Sequence, residues 1–427
     1  MNKKRFTLSG MITIVVLAVA VAISATMMIA IRHFNRQVNA VMQKQVLYTH
    51  ISDIDTKVRE YFPTLDEEQL QAALAAGYVK GLSDPYAAYL NTQDYKEAQL
   101  ERQGKSSAAG IALAMSEKNE VMVEKVYTES AAHKVGVQKD DVLLSVDGEE
   151  VNSSNLQKMQ EKLDTATSKL LLSVRRGDKT LSFDVTAYTF SIDTVTERML
   201  KGNIGYICIT AFYDNTESQF TAAYSALQDK GATSFIFDVR NCNHGGSRQA
   251  LEGVLSYLMP HGAYAVYTAN DGTVTNLVAH SSHTNTAPAV VLVNGETKGE
   301  AEIFAGVLQE FKTATVVGEK TAGKGKVQEF VPLKEDNSAL LLSAGEISLV
   351  SGGAIEGVGI TPDTVAPMSL YKTNRIGVLK DAEDDQLQAA LEALSVKLSG
   401  NAVEESTVGT TTGSTAKTNT KSKTSKK

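Results

Sequence analysis

The 427-residue chain has no tryptophan, only seven prolines and only two cysteines, Cys208 and Cys242. So few cysteines exclude a disulfide-built scaffold and leave no Cys-x-x-Cys pair for structural zinc or thiol redox chemistry. An excess of basic charge is also missing. Lys and Arg number 42 against 49 Asp and Glu, for a formal net charge of −7. That balance recommends no nucleic-acid partner. What is present is ordinary for a soluble protein, with 43% hydrophobic and 21% charged residues. Such a composition buries a real core and excludes wholesale disorder, collagen and coiled-coil architectures. At about 150 residues per domain, the length predicts roughly two to three domains.

The two ends differ from the middle. Residues 11–31 are apolar except for Thr13, Ser24 and Thr26, and they follow Lys3, Lys4 and Arg5. About 20 such residues span a bilayer, whereas a signal-peptide core runs to about 7–15. A retained transmembrane helix over 11–31 is therefore expected, with residues 1–10 cytoplasmic. The flanking charge favours that orientation only weakly, because Arg32 and Arg36 follow the run. From residue 400 the chain is mostly Ser, Thr, Gly and Lys, with few apolar side chains. Residues 400–427 are read as a disordered tail, because such a segment cannot offset its ordering entropy.

Between the ends, residues 37–95 form a helical region. Val38, Val41, Tyr48, Ile51, Ile54, Val58 and Tyr61 make one helical stripe. Thr64 and Glu67 form a capping-box pattern, and the next helix carries Leu70, Leu74 and Tyr78 toward Gly81. Asp84-Pro85 then forces a turn. From 104 to 188 the pattern changes to short strands, at 111–115, 121–126, 141–146 and 170–174. Ser130 is placed to cap a short helix ending at Gly136, and Asp147-Gly148 signals a hairpin. Beyond 188, buried-strand runs at 204–210, 235–240 and 290–294 alternate with helices, the mark of an α/β domain with a largely parallel sheet.

Residues 104–188 resemble a PDZ domain of the bacterial protease type. The counterpart of that family's carboxylate-binding loop is Gly110, Ile111, Ala112 and Leu113. Successive backbone N–H groups there suit a terminal carboxylate, and an open strand edge suits an added peptide strand.

Five motifs, in order, carry a second resemblance. They are Asp84-Pro-Tyr-Ala-Ala-Tyr-Leu90, Asp238-Val-Arg-Asn-Cys-Asn-His-Gly-Gly246, Asn294-Gly-Glu-Thr-Lys-Gly-Glu-Ala-Glu-Ile-Phe-Ala-Gly306, Val317-Gly-Glu-Lys-Thr-Ala-Gly-Lys-Gly-Lys-Val-Gln328 and Gly357-Val-Gly-Ile-Thr-Pro-Asp363. Together, over roughly 48–398, they resemble the carboxyl-terminal processing peptidases, also called tail-specific proteases. The resemblance implies a crotonase-like α/β protease core over 189–398, with an inserted PDZ-like β domain, an N-terminal helical region and one transmembrane helix. It also implies a serine nucleophile, a lysine general base kept neutral by burial, a glutamine that orients it, and backbone oxyanion donors. Lys324 and Gln328 match the base and its orienter. Gly245 and Gly246, with the start of the helix at Glu300, match the oxyanion donors. No cofactor and no metal is implied.

The nucleophile does not carry over. The family reads Ser-Ala-Ser-Ala-Ser-Glu-Ile where this chain reads Thr297-Lys-Gly-Glu-Ala-Glu-Ile303, which puts Gly299 at the attacking serine. Thr297 and Cys242 remain as other attacking groups. Cys242 also reads as a small buried residue or as a disulfide partner of Cys208. His280 and His283 lie in a polar loop with no third ligand nearby. The expected function is a membrane-anchored pseudopeptidase that binds protein or peptide C-termini, its soluble domains extracytoplasmic. The alternatives are an active tail-specific serine endopeptidase with Lys324 as base, and a scaffold that oligomerises through its N-terminal helices.

Overall fold

No glycine or proline occurs from Met11 to Phe62, so nothing in the backbone chemistry breaks a helix there. The computed structural model accordingly shows one 54-residue helix, α1 (Leu8–Tyr61). It contains both the apolar run and the stripe beyond it. Within it, Val16–Asn35 is long and apolar enough to cross a bilayer. The structure describes residues 8–116, 118–166, 168–281, 286–373 and 375–408. They divide into two compact units, Met1–Ala75 and Ala76–Lys427.

Helix α2 (Glu67–Lys80) starts later than the Thr64 capping box implies. Asp66 caps it instead, its carboxylate accepting from the Gln69 N–H at 3.0 Å. Aspartate directly before the first helical residue outcompetes a threonine two positions farther away.

In the second unit, the Asp84-Pro85 turn leads to β1 (Ala88–Leu90), α3 (Thr92–Arg102) and β2 (Lys105–Ser106). Asn91 caps α3, its side chain accepting from the N–H groups of Gln93 and Asp94.

The β domain follows as β3 (Ile111–Met115), β4 (Val121–Val126), α4 (Ala131–Val135), β5 (Val142–Val146), β6 (Glu149–Glu150), α5 (Leu156–Asp164), β7 (Lys169–Arg176) and β8 (Lys179–Thr186). Its antiparallel sheet runs β3-β4-β5-β7-β8 with β6 paired to β5, so β3 is an end strand. Alternating apolar residues close a separate core around Val123, Val146, Met159, Leu163 and Leu172. Ser130 does cap α4, accepting from the His133 N–H at 3.2 Å, and Gly136 ends it in the left-handed conformation.

The short β9 (Phe190–Ser191) returns to pair with β2. The α/β core is β10 (Val195–Leu200), β11 (Ile204–Ile209), α6 (Thr216–Asp229), β12 (Ser234–Asp238), α7 (Arg248–Leu258), β13 (Gly262–Ala269), β14 (Val274–Ala279), β15 (Ala289–Val293), α8 (Glu300–Glu310), β16 (Ala314–Gly318), β17 (Lys326–Pro332), β18 (Ala339–Leu349), β19 (Thr364–Val365), α9 (Leu370–Thr373) and α10 (Asp385–Val408). One sheet runs β10-β11-β12-β15-β16-β19, parallel except at β10. Every residue of β12 and β15 is buried, as expected for strands covered on both faces. A second, antiparallel sheet runs β1-β18-β13-β14, with β17 also on β18.

The tail boundary is corrected, and of the readings left open for Cys242 the small buried residue is the one the structure shows. Helix α10 continues to Val408, past the predicted start of a tail at 400. Ala402, Glu404 and Glu405 are good helix formers, which favours continuation. The rest of that tail, 409–427, lies outside the described residues. Cys208 and Cys242 are both free thiols and form no disulfide.

Candidate active site

Strand β15 delivers the chain to a turn that ends at Gly299, the residue before α8. Gly299 has φ 62° and ψ −123°, a conformation that side-chain-bearing residues adopt only under strain. A β-carbon built there meets no atom within 4 Å. The position of the expected nucleophile is therefore open, and the residue carries no reactive atom into it.

Neither other attacking group is free. Thr297 is wholly buried. Its hydroxyl donates to the Val239 carbonyl at 2.9 Å and accepts from the Asn294 N–H at 3.0 Å. It closes the β12 and β15 loops onto each other. The Cys242 side chain is also fully buried, and burial pushes its thiol well above the ordinary range. A buried neutral thiol is a poor nucleophile.

The facing loop, between β16 and β17, carries Lys324. Its side chain is half-buried, with the ammonium 5.2 Å from the centre of the Tyr86 ring. Gln328 donates its amide N–H to the Tyr86 carbonyl at 2.5 Å. That bond ties Gln328 to the Asp84–Leu90 motif; among the described residues no hydrogen bond joins Gln328 to Lys324. That motif is tied down in turn. Asp84 accepts from the Tyr86 N–H and from both the N–H and hydroxyl of Ser343. Burial works against the Asp84 charge, but these bonds outweigh it and hold the carboxyl below its ordinary range.

Two carboxylates that the sequence did not single out for this task hold the halves together. Glu302 is completely buried. Its carboxylate accepts from the Thr321 hydroxyl at 2.5 Å, from the N–H groups of Gly323 and Lys324 at 2.7 Å each, and from the Gly299 N–H at 3.2 Å. One side chain thus fixes the nucleophile turn and the base loop. Glu356 accepts from the N–H groups of Gly325 and Lys326 at 2.8 and 3.0 Å, and from the Tyr86 hydroxyl at 3.3 Å. An acidic residue at a helix N-terminus is favoured by the helix dipole whatever else it does, so the residue type alone carries no signal for this role.

Gly245 and Gly246 lie in the loop after β12 and line the same cavity, of about 260 Å³, as Gly299, Lys324 and Gln328. Residues from separate motifs thus meet in one place. The glycine turn is not empty: a β-carbon on Gly245 would sit 2.6 Å from a Glu300 carboxylate oxygen. A negative charge rests where oxyanion donors are expected, and it opposes a second one developing there. Beside it, His244 contacts Glu101 at 3.3 Å and Tyr213 donates its hydroxyl to the same carboxylate. The bond from His244, joined by that from Tyr213, holds Glu101 below the usual carboxylate range. This trio had no sequence signal, because α3 is remote in the chain from the β12 loop. The Asp238-Val-Arg part of the motif is structural. Arg240 is buried between Asp238, at 2.6 Å, and Asp384, at 2.8 Å.

Ile111, Ala112 and Leu113 lie elsewhere, in the end strand β3, and Gly110 directly precedes it. Gly110 has φ 82°, and a β-carbon there would fall 2.1 Å from that of Ser130. Its carbonyl accepts from the Tyr127 N–H at 3.1 Å and from the Ser130 hydroxyl at 3.3 Å. Among the described residues no His, Cys, Asp and Glu cluster forms a metal site. His283 lies outside them.

A model of peptidase family S41 matches residues 203–366 and a PDZ-domain model matches 97–175. The chain is 28% identical over 326 residues to a carboxy-terminal-processing protease of Bartonella bacilliformis, covering 74% of each. It is 28% identical over 316 residues to the carboxy-terminal processing protease CtpA of Bacillus subtilis, covering 73% of this chain and 67% of the relative. A solved S41 protease of Bacteroides fragilis superposes with a TM-score of 0.53 at 16% identity, over 75% of this chain and 90% of the other. That structure shares the fold. The two domain matches and the curated relatives support a member of the carboxyl-terminal processing peptidases: the chain has a region like peptidase family S41 and a region like a PDZ domain, and about three quarters of it aligns with such proteases.

Proposed function

We propose that this protein is a membrane-anchored pseudopeptidase that binds protein C-termini through its PDZ domain and does not cleave them. The observation that carries the reading is Gly299, which stands at the nucleophile position with open space around it and no side chain. Supporting it, Thr297 and Cys242 are committed to buried roles, and Glu300 lies against Gly245. A peptide carbonyl placed in the cavity would meet Lys324 but nothing for that lysine to activate. Without an attacking atom no covalent intermediate can form, whatever the state of the base.

Binding falls to β3. An extended C-terminus adds to its free edge, and the N–H groups near Gly110 receive the terminal carboxylate. The anchor reading rests on the apolar stretch Val16–Asn35, with the soluble domains on the extracytoplasmic side.

The test uses the full-length protein in detergent and a peptide with an apolar free C-terminus. The expected result is binding without product by mass spectrometry. Amidating that terminus should weaken binding by about 2 kcal/mol, the scale of a charge-assisted hydrogen bond. Turnover that disappears on Lys324→Ala would establish the active endopeptidase instead.

A further inference from the structure

The free edge of β3 is already hydrogen-bonded by a side chain. Helix α5 buries Met159 and Leu163 in the β-domain core, and between them Gln160 reaches the strand. Its amide oxygen accepts from the Leu113 N–H at 2.8 Å, and its amide nitrogen donates to the Ile111 carbonyl at 3.0 Å. The same nitrogen donates to the Asp164 carboxylate at 2.9 Å, one turn farther along α5. The carbonyl of Ile111 and the N–H of Leu113 flank Ala112. These are the groups through which a strand takes on a neighbour on its open side. A primary amide presents an N–H donor and a C=O acceptor side by side, the pair a peptide unit offers, and keeps a second N–H for Asp164. Gln160 thus stands in for one residue of an added strand.

We propose that Gln160 is a latch on the peptide groove, and that a ligand enters only by displacing its amide from Ile111 and Leu113. This rests on the reading of β3 as the peptide-binding edge. The ligand class is an extended peptide that can supply its own N–H and C=O to both positions. Release of Gln160 is possible without unfolding α5, because the helix is held by Met159 and Leu163 and not by the amide. Binding then exchanges two intramolecular bonds for two intermolecular ones, and the latch lowers affinity by what the closed form gains.

Two variants test this in the full-length protein. Gln160→Ala removes the amide, and Gln160→Met removes it while keeping the length of the stem. Affinity for a free-acid peptide, read by fluorescence anisotropy, should rise about 5- to 30-fold in both, the effect of one or two net hydrogen bonds. Hydrogen exchange at the Leu113 amide supplies a readout independent of the ligand. Its protection should fall in both unliganded variants and return when peptide is added. Unchanged or weaker affinity in both variants, with binding intact, would overturn the latch while leaving the groove in place. Unchanged Leu113 protection without peptide would overturn it whatever the affinity. Absence of binding by wild type and variants alike would remove the peptide-binding edge, and the latch with it.

Discussion

At Gly299 the cavity has room for a β-carbon that the residue lacks. At Ile111 and Leu113 the peptide edge has its ladder groups occupied by Gln160. The first region is missing an atom and the second holds one in the ligand's place. Removal of an atom is not repaired by motion, whereas a side-chain hydrogen bond of about 1 kcal/mol opens readily. On the proposed reading, the site keeps its walls without its attacking atom. Glu302 and Glu356 hold the Lys324 loop through backbone N–H groups. None of those bonds depends on the residue at 299 having a side chain.

The largest expected effect concerns the missing atom. Losing the nucleophile in a serine mechanism removes about six orders of magnitude in rate. Peptide hydrolysis by the wild type should therefore stay at the uncatalysed background, and Lys324→Ala should leave it there. A discontinuous assay with product identified by mass spectrometry checks this. A wild-type rate well above background that falls on Lys324→Ala would mean that the cavity still contains a working attacking group.

Next comes the side chain that holds the walls. Glu302 is buried and accepts four hydrogen bonds. Replacing it with alanine strands those donors, so Glu302→Ala should lower unfolding stability by about 3 kcal/mol or more. Urea denaturation measures the loss. A change under about 1 kcal/mol would show that the loop is held by something other than this carboxylate.

A smaller effect attends an attempt to restore the missing atom. Gly299→Ser has space for its side chain but must hold φ near 62°, at a cost of about 1–3 kcal/mol. Any turnover it gains should increase when Glu300→Ala is added, because the carboxylate beside Gly245 opposes an oxyanion. It should vanish with Lys324→Ala. If the added Glu300→Ala reduces turnover instead, the charge is not the obstacle, and Gly245 is not where the oxyanion forms.

Much of this was legible in the sequence, for identifiable reasons. The β3 range, the Ser130 cap and the buried β12 and β15 strands follow from alternation, capping chemistry and continuous apolar runs, all local signals. The meeting of Gly245, Gly299, Lys324 and Gln328 in one cavity was legible only through the resemblance, since these residues lie on separate loops. The rest depends on contacts without a period. Gln160 sits among exposed residues of a short amphipathic helix, and nothing in its spacing reveals a bond to β3. Gln328 has the expected identity, but its amide goes to the Tyr86 carbonyl, which only the folded chain brings near. Thr64 satisfied a capping pattern and lost the position to Asp66, a competition between neighbours that a motif cannot decide.

The smallest effect sharpens the groove side of the comparison. Asp164, which accepts from Gln160, has its carboxyl pushed up to about 6, above the ordinary carboxylate range. Desolvation by the surrounding protein is the main cause, although Asp164 itself is an exposed residue. The Gln160 bond works the other way, and the charge of Glu97 adds to the rise. A carboxyl whose folded pKa lies above its unfolded value binds its proton more tightly when folded. Its contribution to stability is therefore complete below about pH 4 and is lost as pH rises through about 6. Asp164→Asn cannot ionise, so its stability relative to wild type should improve between pH 4 and pH 7. Urea midpoints for both proteins at those two values supply the test. A gap between the two proteins that does not change with pH would mean that Asp164 titrates like a free carboxylate and that its side chain is no part of a desolvated edge. A gap that widens toward pH 7 in favour of the variant, and widens further when Gln160→Ala is present in both proteins, would place Asp164 and Gln160 in one hydrogen-bonded unit beside β3, because the Gln160 donor favours the ionised carboxylate.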